Sequence, residues 1–121
     1  MMSLNSLIIF SENPKKLVDF YKDVLQRDPD QKGGDFTGFQ AGCGWLMIRP
    51  HDKVHGKNMN PERAIFNLET PDVEKEFMRL EKMGVKSIMK PYHPMEMPEM
   101  TLATLADPDG NYFQLASPMM M

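Results

Sequence analysis

The residues best suited to chemistry in this sequence are three histidines (His51, His55 and His93) and a single cysteine. His51 and His55 are four positions apart, a spacing that on a helix would bring two imidazoles together as metal ligands. Their segment is polar, however, and offers no carboxylate beyond Asp52, so solvated loop histidines are the better interpretation. Cys43 lies between two glycines at a predicted hairpin turn without a neighbouring base, so we do not expect a nucleophile there.

Composition narrows the classes of protein that remain. The chain has 121 residues, 41% hydrophobic and 26% charged, which predicts one globular domain over residues 1–121. A net charge of −3 gives no basic surface for nucleic acid. The apolar run Leu7–Phe10 is far shorter than the ~20 residues of a membrane span, so we expect no membrane association. No export signal follows Met1, and one cysteine cannot form an internal disulfide, so a cytoplasmic location is expected.

The first half of the chain predicts a strand, a helix and two further strands. Leu4–Phe10 reads as a strand, and Asn13 is a good N-cap with Pro14 in the first helical position. An amphipathic helix is indicated by apolar residues at Leu17, Phe20, Tyr21, Val24 and Leu25. Two short strands follow, at Phe36–Ala41 and Trp45–Arg49, joined by a glycine-flanked turn.

The second half repeats this order after a polar linker at residues 51–61. Arg63–Leu68 predicts a strand, with Thr70 as N-cap and Pro71 as the first helical residue. The helix stripe is Val73, Phe77 and Leu80, and Gly84 is its stop. Further strands are predicted at Val85–Met89, Thr101–Ala106 and Tyr112–Ser117, with a proline-rich loop at 91–98. We therefore predict an α+β fold of two βαβββ units, approximately 4–50 and 62–118, that form a curved mixed sheet around a cavity.

Alternation along the strands separates a helix-covered face from an open face. The covered positions are uniformly apolar: Leu7, Ile9, Leu46, Ile48, Ala64, Phe66, Leu68, Phe113 and Leu115. The open positions mix aromatic, apolar and polar groups, as ligand pockets do. The predicted ligand-binding residues are Ser6, Ile8, Phe10, Trp45, Met47, Arg49, Arg63, Ile65, Asn67, Tyr112 and Gln114. A partly solvated sheet face is the alternative.

Two segments carry a resemblance to a known family. Asp19–Leu25 at the end of the first helix and Asp107–Leu115 near the C-terminus resemble the vicinal oxygen chelate superfamily, which includes glyoxalases, bleomycin-binding proteins and extradiol dioxygenases. The resemblance spans nearly the whole chain and implies the two-unit fold. Because one fold hosts many chemistries, it does not fix the reaction.

The resemblance also implies where a metal would bind. Metal-dependent members place His, Gln or Glu on the cavity faces of four strands, and the matching positions here are Ser6, Met47, Arg63 and Gln114. Serine is a weak neutral ligand, arginine has no lone pair to offer, and methionine suits only soft metals. None of the four is an anionic donor, so we expect neither a metal nor another cofactor.

Three functional hypotheses remain. The first is a protein that binds a small organic molecule in its sheet cavity without a catalytic metal. The second is an enzyme: a metal-dependent lyase, isomerase or dioxygenase of the same superfamily, similar to lactoylglutathione lyase, or a metal-independent enzyme using Glu62, Glu96 or Glu99 as base. The third is an interaction module whose sheet face is covered by a partner chain.

Charge and sheet edges give two further expectations. Strand alternation aims Arg63 inward beside Gln114, which favours an anionic or carbonyl-rich ligand, because a desolvated guanidinium needs acceptors. Pairing of Arg63 with a loop acid, Glu96 or Glu99, is an equal alternative. The open edges of the sheet predict a homodimer, as is usual among the relatives.

Overall fold

The computed structural model describes residues 1–118, and the chain divides into two compact units, residues 1–56 and residues from 57 onward. Each unit contains a four-stranded mixed sheet and one α-helix. The α+β, two-unit fold class predicted from the sequence is confirmed. The strands pair as two separate sheets, one in each unit, rather than as one continuous sheet, and neither sheet closes on itself. The last three residues of the predicted domain lie outside the described residues.

The first unit runs β1 (Ser6–Ser11), α1 (Pro14–Leu25), β2 (Gln31–Lys32), β3 (Thr37–Ala41) and β4 (Gly44–Pro50). Its strand order is β1-β4-β3-β2, with β1 parallel to β4 and the other pairs antiparallel. The sequence did not predict β2, because two residues are too short for an alternating pattern to show.

Helix α1 begins where the sequence predicted. The Asn13 side chain accepts a hydrogen bond from the backbone N–H of Lys16, and proline follows the cap. The buried residues Leu17, Tyr21 and Val24 lie on one face, against the sheet. This helix therefore covers one face of the first sheet and leaves the other face without a helix.

The second unit contains β5 (Phe66–Glu69), α2 (Val73–Lys82), β6 (Lys86–Tyr92), β7 (Leu102–Ala106) and β8 (Tyr112–Ala116). Its strand order is β5-β8-β7-β6, with β5 parallel to β8. Helix α2 buries the predicted stripe, Val73, Phe77 and Leu80. Strand β6 extends into the segment predicted as a loop, and its pairing with β7 is irregular between Ser87 and Tyr92.

The start of α2 differs from the prediction. Its N-cap is Asp72, whose carboxylate accepts from the N–H of Lys75, while the Thr70 hydroxyl accepts from the N–H of Asp72. In the first unit the Ser11 hydroxyl accepts in the same way from the N–H of Asn13. The two units therefore correspond as Ser11 to Thr70 and as Asn13 to Asp72.

This correspondence corrects the predicted strand at Arg63–Leu68. Matching Asn13-Pro14 with Thr70-Pro71 shifts the repeat by two residues and carries Ser6 onto Arg63. The capping bonds instead carry Ser6 onto Ile65. Residues Pro61–Arg63 form a short 3-10 helix, and β5 begins only at Phe66, so Arg63 is an exposed residue outside the sheet.

Across the described residues, neither helix is long and apolar enough to span a membrane.

Candidate functional site

The open face of the first sheet carries the predicted residues in three rows. The pairing of β1 with β4 sets Ser6 opposite Trp45, Ile8 opposite Met47 and Phe10 opposite Arg49. On this face Ile8 is 43% exposed and Phe10 is 36% exposed, whereas Ile48 on the helix side is 1% exposed. Helix α1 thus buries one face of the first sheet and leaves the opposite face partly exposed and mainly apolar.

Strand β3 completes this face with residues that the sequence analysis did not single out. Gly38 lies opposite Met47 and Gln40 lies opposite Trp45. A Cβ atom added at Gly38 would lie 3.3 Å from Cε3 of Trp45, so the indole packs over the backbone of this glycine. A missing side chain on one strand therefore makes room for the aromatic ring on the next. A glycine inside a strand can mark such a close approach, and Gly38 within the predicted strand Phe36–Ala41 is the sequence signal that was not used.

Arg49 is the cation of this face. Its Nη2 atom lies 3.2 Å from Oδ1 and 3.4 Å from Oδ2 of Asp35, which is in the loop before β3. Its Nε–H is buried and has no hydrogen-bond partner within residues 1–118. An unsatisfied buried donor costs on the order of 1–3 kcal/mol. Asp35 therefore pairs with Nη2 of Arg49 and leaves the Nε–H of Arg49 without an acceptor.

Two of the histidines lie beside the end of β1. The His51 ring packs edge-on against Phe10, with 5.1 Å between ring centroids, and its Nδ1 accepts from the N–H of Lys53. Glu12 accepts from the N–H of Gly56 at 3.0 Å and lies 3.6 Å from Nδ1 of His55. The Gly56 N–H, with a smaller contribution from His55, lowers the pKa of Glu12. The two histidines are loop residues that hold the chain after β4 against the end of β1.

Other candidate groups do not converge on a catalytic centre. His93 lies in the second unit, where its Nδ1 is 2.9 Å from the Met100 carbonyl oxygen, and Cys43 is exposed. The possible bases are exposed as well: Glu62, Glu96 and Glu99. Within residues 1–118 no three His, Cys, Asp or Glu side chains are grouped so that they could hold a metal ion.

The open face of the second sheet is more polar. Asn67 of β5 lies opposite Gln114 of β8, and Gln114 lies opposite Thr104 of β7. The Gln114 amide donates to the Thr104 hydroxyl at 3.1 Å. Thr104 was not among the predicted residues, although it belongs to the same row. Tyr112 lies on this face one residue pair away, half-buried.

Arg63 does not take part in this second face. It is exposed in the 3-10 helix, and no ion pair joins it to Glu96, Glu99 or another acid of the described residues. The inward arginine predicted beside Gln114 is therefore wrong. The residue that precedes β5 in the strand register is Ile65, which is 39% exposed.

The corrected register weakens the case for a metal further. The four family positions become Ser6, Met47, Ile65 and Gln114. The Ser6 hydroxyl donates to Asn5, Ile65 has no donor atom, and the Gln114 amide is engaged with Thr104. A divalent ion of the hard or borderline type needs anionic oxygens or imidazoles, and this set supplies neither. The residues present do not fit the metal of the metal-dependent relatives.

Two clefts lie away from the predicted residues. One, of about 570 Å³, lies in the first unit between the first turns of α1 and residues 32–37. The other, of about 500 Å³, lies in the second unit between α2 and the start of β6. None of the predicted ligand-binding residues lines either cleft.

Comparison with known proteins places this fold in a family. Residues 3–115 match the model of the Glyoxalase/Bleomycin resistance protein/Dioxygenase superfamily. The sequence matches no curated protein. The three solved structures described next are each below 25% identical to this chain and support the fold alone.

A structure described as a conserved domain protein is 22% identical, with a TM-score of 0.80 and coverage of 98% of this chain and 100% of its own. A glyoxalase/bleomycin resistance protein/dioxygenase family enzyme from Burkholderia phytofirmans PsJN is 18% identical, with a TM-score of 0.77 and the same coverage. A lactoylglutathione lyase from Agrobacterium tumefaciens is 16% identical, with a TM-score of 0.74 and coverage of 95% and 92%. The family match over residues 3–115 decides the assignment: the chain belongs to the glyoxalase/bleomycin resistance protein/dioxygenase superfamily, the vicinal oxygen chelate proteins.

Proposed function

We propose that this protein binds a small organic molecule on its open sheet faces and does so without a catalytic metal. The observation that carries the proposal is the surface of the first sheet, where Ile8 and Phe10 are partly exposed beside Trp45 and Arg49. Apolar and aromatic side chains with a few polar groups are the usual composition of small-molecule sites. The open face of the second sheet, taken by itself, carries hydrogen-bonding groups: Asn67, Tyr112 and Gln114.

The donor chemistry supports binding rather than metal-dependent turnover. The family positions of this chain carry a hydroxyl, a thioether, an alkyl group and an amide. Within residues 1–118 no three His, Cys, Asp or Glu side chains are grouped so that they could hold a metal ion elsewhere. A metal-free binding role requires only apolar, aromatic and hydrogen-bonding side chains of the kinds that the open faces carry.

A matched pair of substitutions tests the binding face. Ile8 and Leu7 are adjacent on β1 and similarly exposed, at 43% and 39%, but they point to opposite faces of the sheet. Compounds that raise the melting temperature in a screen of apolar and aromatic small molecules would be titrated against Ile8→Ser and Leu7→Ser. Ile8 is 43% exposed, so a ligand can cover less than half of a side chain whose full burial contributes ~1.5–3 kcal/mol, and roughly three- to tenfold weaker binding is expected for Ile8→Ser. Leu7→Ser is expected to bind as wild type, and equal effects of the two would contradict the proposal.

Elemental analysis tests the metal-free part separately. We expect no stoichiometric divalent metal in the purified protein. About one zinc, nickel, manganese or iron ion per chain, lost in Gln114→Ala, would instead support the metal-dependent enzyme. If the open face is covered by a partner chain, the protein purified from its source will elute as a complex and will bind no compound until that partner is removed.

A further inference from the structure

We propose that Arg49 anchors the anionic end of the ligand, and that Asp35 occupies this anchor when no ligand is bound. The inference rests on the proposed binding function and assigns the ligand a chemical class: a carboxylate, or an anion of similar shape, joined to an apolar or aromatic body. The proposed anchor is thus not Arg63, which lies outside the sheet, but an arginine of β4.

The unused donor of Arg49 defines the shape of its partner. In a guanidinium group the Nε–H and one Nη2–H point in parallel, and a carboxylate can accept from both at once. Asp35 instead places both of its oxygens near Nη2, at 3.2 and 3.4 Å, and leaves Nε without a partner. Charge-assisted contacts of this type are usually shorter, at about 2.7–2.9 Å. Asp35 is therefore a mismatched partner for this edge of the guanidinium.

The Asp35 side chain is exposed enough for a ligand to displace it from Arg49. Its side chain is 61% exposed, and that of Arg49 is 41% exposed. Asp35 lies in a tight turn closed by the hydrogen bond from the Gly33 N–H to the Phe36 carbonyl, outside any strand. A ligand carboxylate that replaces Asp35 exchanges one ion pair for another, and it accepts from Nε–H as well once the Asp35 side chain has moved away, since Nε is buried when no ligand is bound. A neutral ligand offers no such exchange.

The surroundings of Arg49 specify the rest of the ligand. Phe10 lies directly opposite Arg49 on β1 and is 36% exposed. Met47 and then Trp45 follow on the same face of β4, at intervals of about 7 Å, since a strand rises ~3.3 Å per residue. An anion at Arg49 with an apolar body about one such interval long would reach the row formed by Ile8 and Met47.

Trp45 is the one tryptophan of the sequence and lies on this face, so its fluorescence reports on the site. The probes are 4-phenylbutanoate and its neutral analogue 4-phenylbutanamide, which differ only in charge and in the carboxylate group. The variants are Arg49→Gln, Asp35→Asn and, as a matched control, Arg63→Gln, which removes an exposed arginine outside the sheet. Circular dichroism would confirm that each variant is folded.

We expect wild type to bind the carboxylate at least tenfold more tightly than the amide. Arg49→Gln should weaken binding of the carboxylate more than binding of the amide and so remove this preference, and Arg63→Gln should behave as wild type. Asp35→Asn should tighten carboxylate binding severalfold, because the internal competitor is gone. A preference that survives Arg49→Gln overturns the anchor, and weaker carboxylate binding in Asp35→Asn overturns the exchange. If wild type binds neutral compounds but shows no preference for the carboxylate, this inference fails while the binding proposal stands; if no compound of either charge binds, both fail.

Discussion

Replacement of Asp107 by alanine is expected to destabilise the protein by about 3 kcal/mol. Asp107 lies in the turn between β7 and β8 and is only 5% exposed. Its Oδ1 accepts from the backbone N–H groups of Asp109 and Asn111, at 2.9 and 3.0 Å, and its Oδ2 accepts from the Asn111 side chain at 3.0 Å. One carboxylate thus organises the turn that sets Gln114 in its strand register.

The size of the stability loss in Asp107→Ala follows from the N–H groups that lose their acceptor. Hydrogen bonds to a charged partner contribute roughly 1.5–3 kcal/mol each, but they are not additive when one residue makes several. In Asp107→Ala two backbone N–H groups lose their acceptor in a part-buried turn, where water replaces it incompletely. A loss of about 2–4 kcal/mol results. Asp107→Asn keeps an oxygen for the N–H groups but loses the charge, so about half of that loss is expected.

Urea unfolding followed by circular dichroism measures the change, with the slope m compared between variants. Asp109→Ala is the matched control, because its carboxylate lies in the same turn and makes no hydrogen bond with the described residues. We expect it to stay within ~0.5 kcal/mol of wild type. A loss below about 1 kcal/mol in Asp107→Ala, or equal losses in the two variants, would refute the reasoning.

Three further predictions concern packing, pH and assembly. Phe113→Ala should cost about 3–5 kcal/mol in urea unfolding, because the ring is fully buried and stacks 6.1 Å from that of Phe66; a loss below ~2 kcal/mol would be too small for such a cavity. Carboxyl NMR should give Glu12 a lowered pKa, so its contribution to stability is present above the usual glutamate value of about 4.3 and is lost as the pH falls through the lowered pKa. His55→Ala should leave most of that shift, since the Gly56 N–H is its larger cause, and full reversal would contradict this order. Sedimentation should show a homodimer, because each sheet ends in edge strands that a second copy can protect; a monomer at all concentrations tested would count against it.

Local patterns in the sequence predicted the elements and their two faces. The stripe at Leu17, Tyr21 and Val24 faces the core because a helix returns to the same side every three to four residues. The strand alternation that separates Ile8 from Ile9 holds because neighbouring strand residues point to opposite faces. The family resemblance rested on such local segments, and the match over residues 3–115 confirmed it.

What the sequence could not determine was register, which depends on partners distant in the chain. The sequence predicted Thr70 as the N-cap of the second helix, and the bond from the Lys75 N–H to the Asp72 carboxylate shows that Asp72 is the cap instead. With Asp72 as the cap, Ile65 and not Arg63 corresponds to Ser6, and Arg63 lies outside the sheet. The sequence could not show this, because a strand has no local signal for where its pairing begins.

The ion pair on the open face of the first sheet also depends on residues that are distant in the chain. Arg49 and Asp35 are separated by fourteen positions, and no sequence pattern links them. Their contact, and the buried Nε–H that it leaves unpaired, exist only once β4 and the loop before β3 are brought together. The sequence by itself determined the alternation that turns Ile8 and Ile9 to opposite faces of β1. The tertiary structure decided which cation lies on the open face, because ion pairs form between neighbours in space and not along the chain.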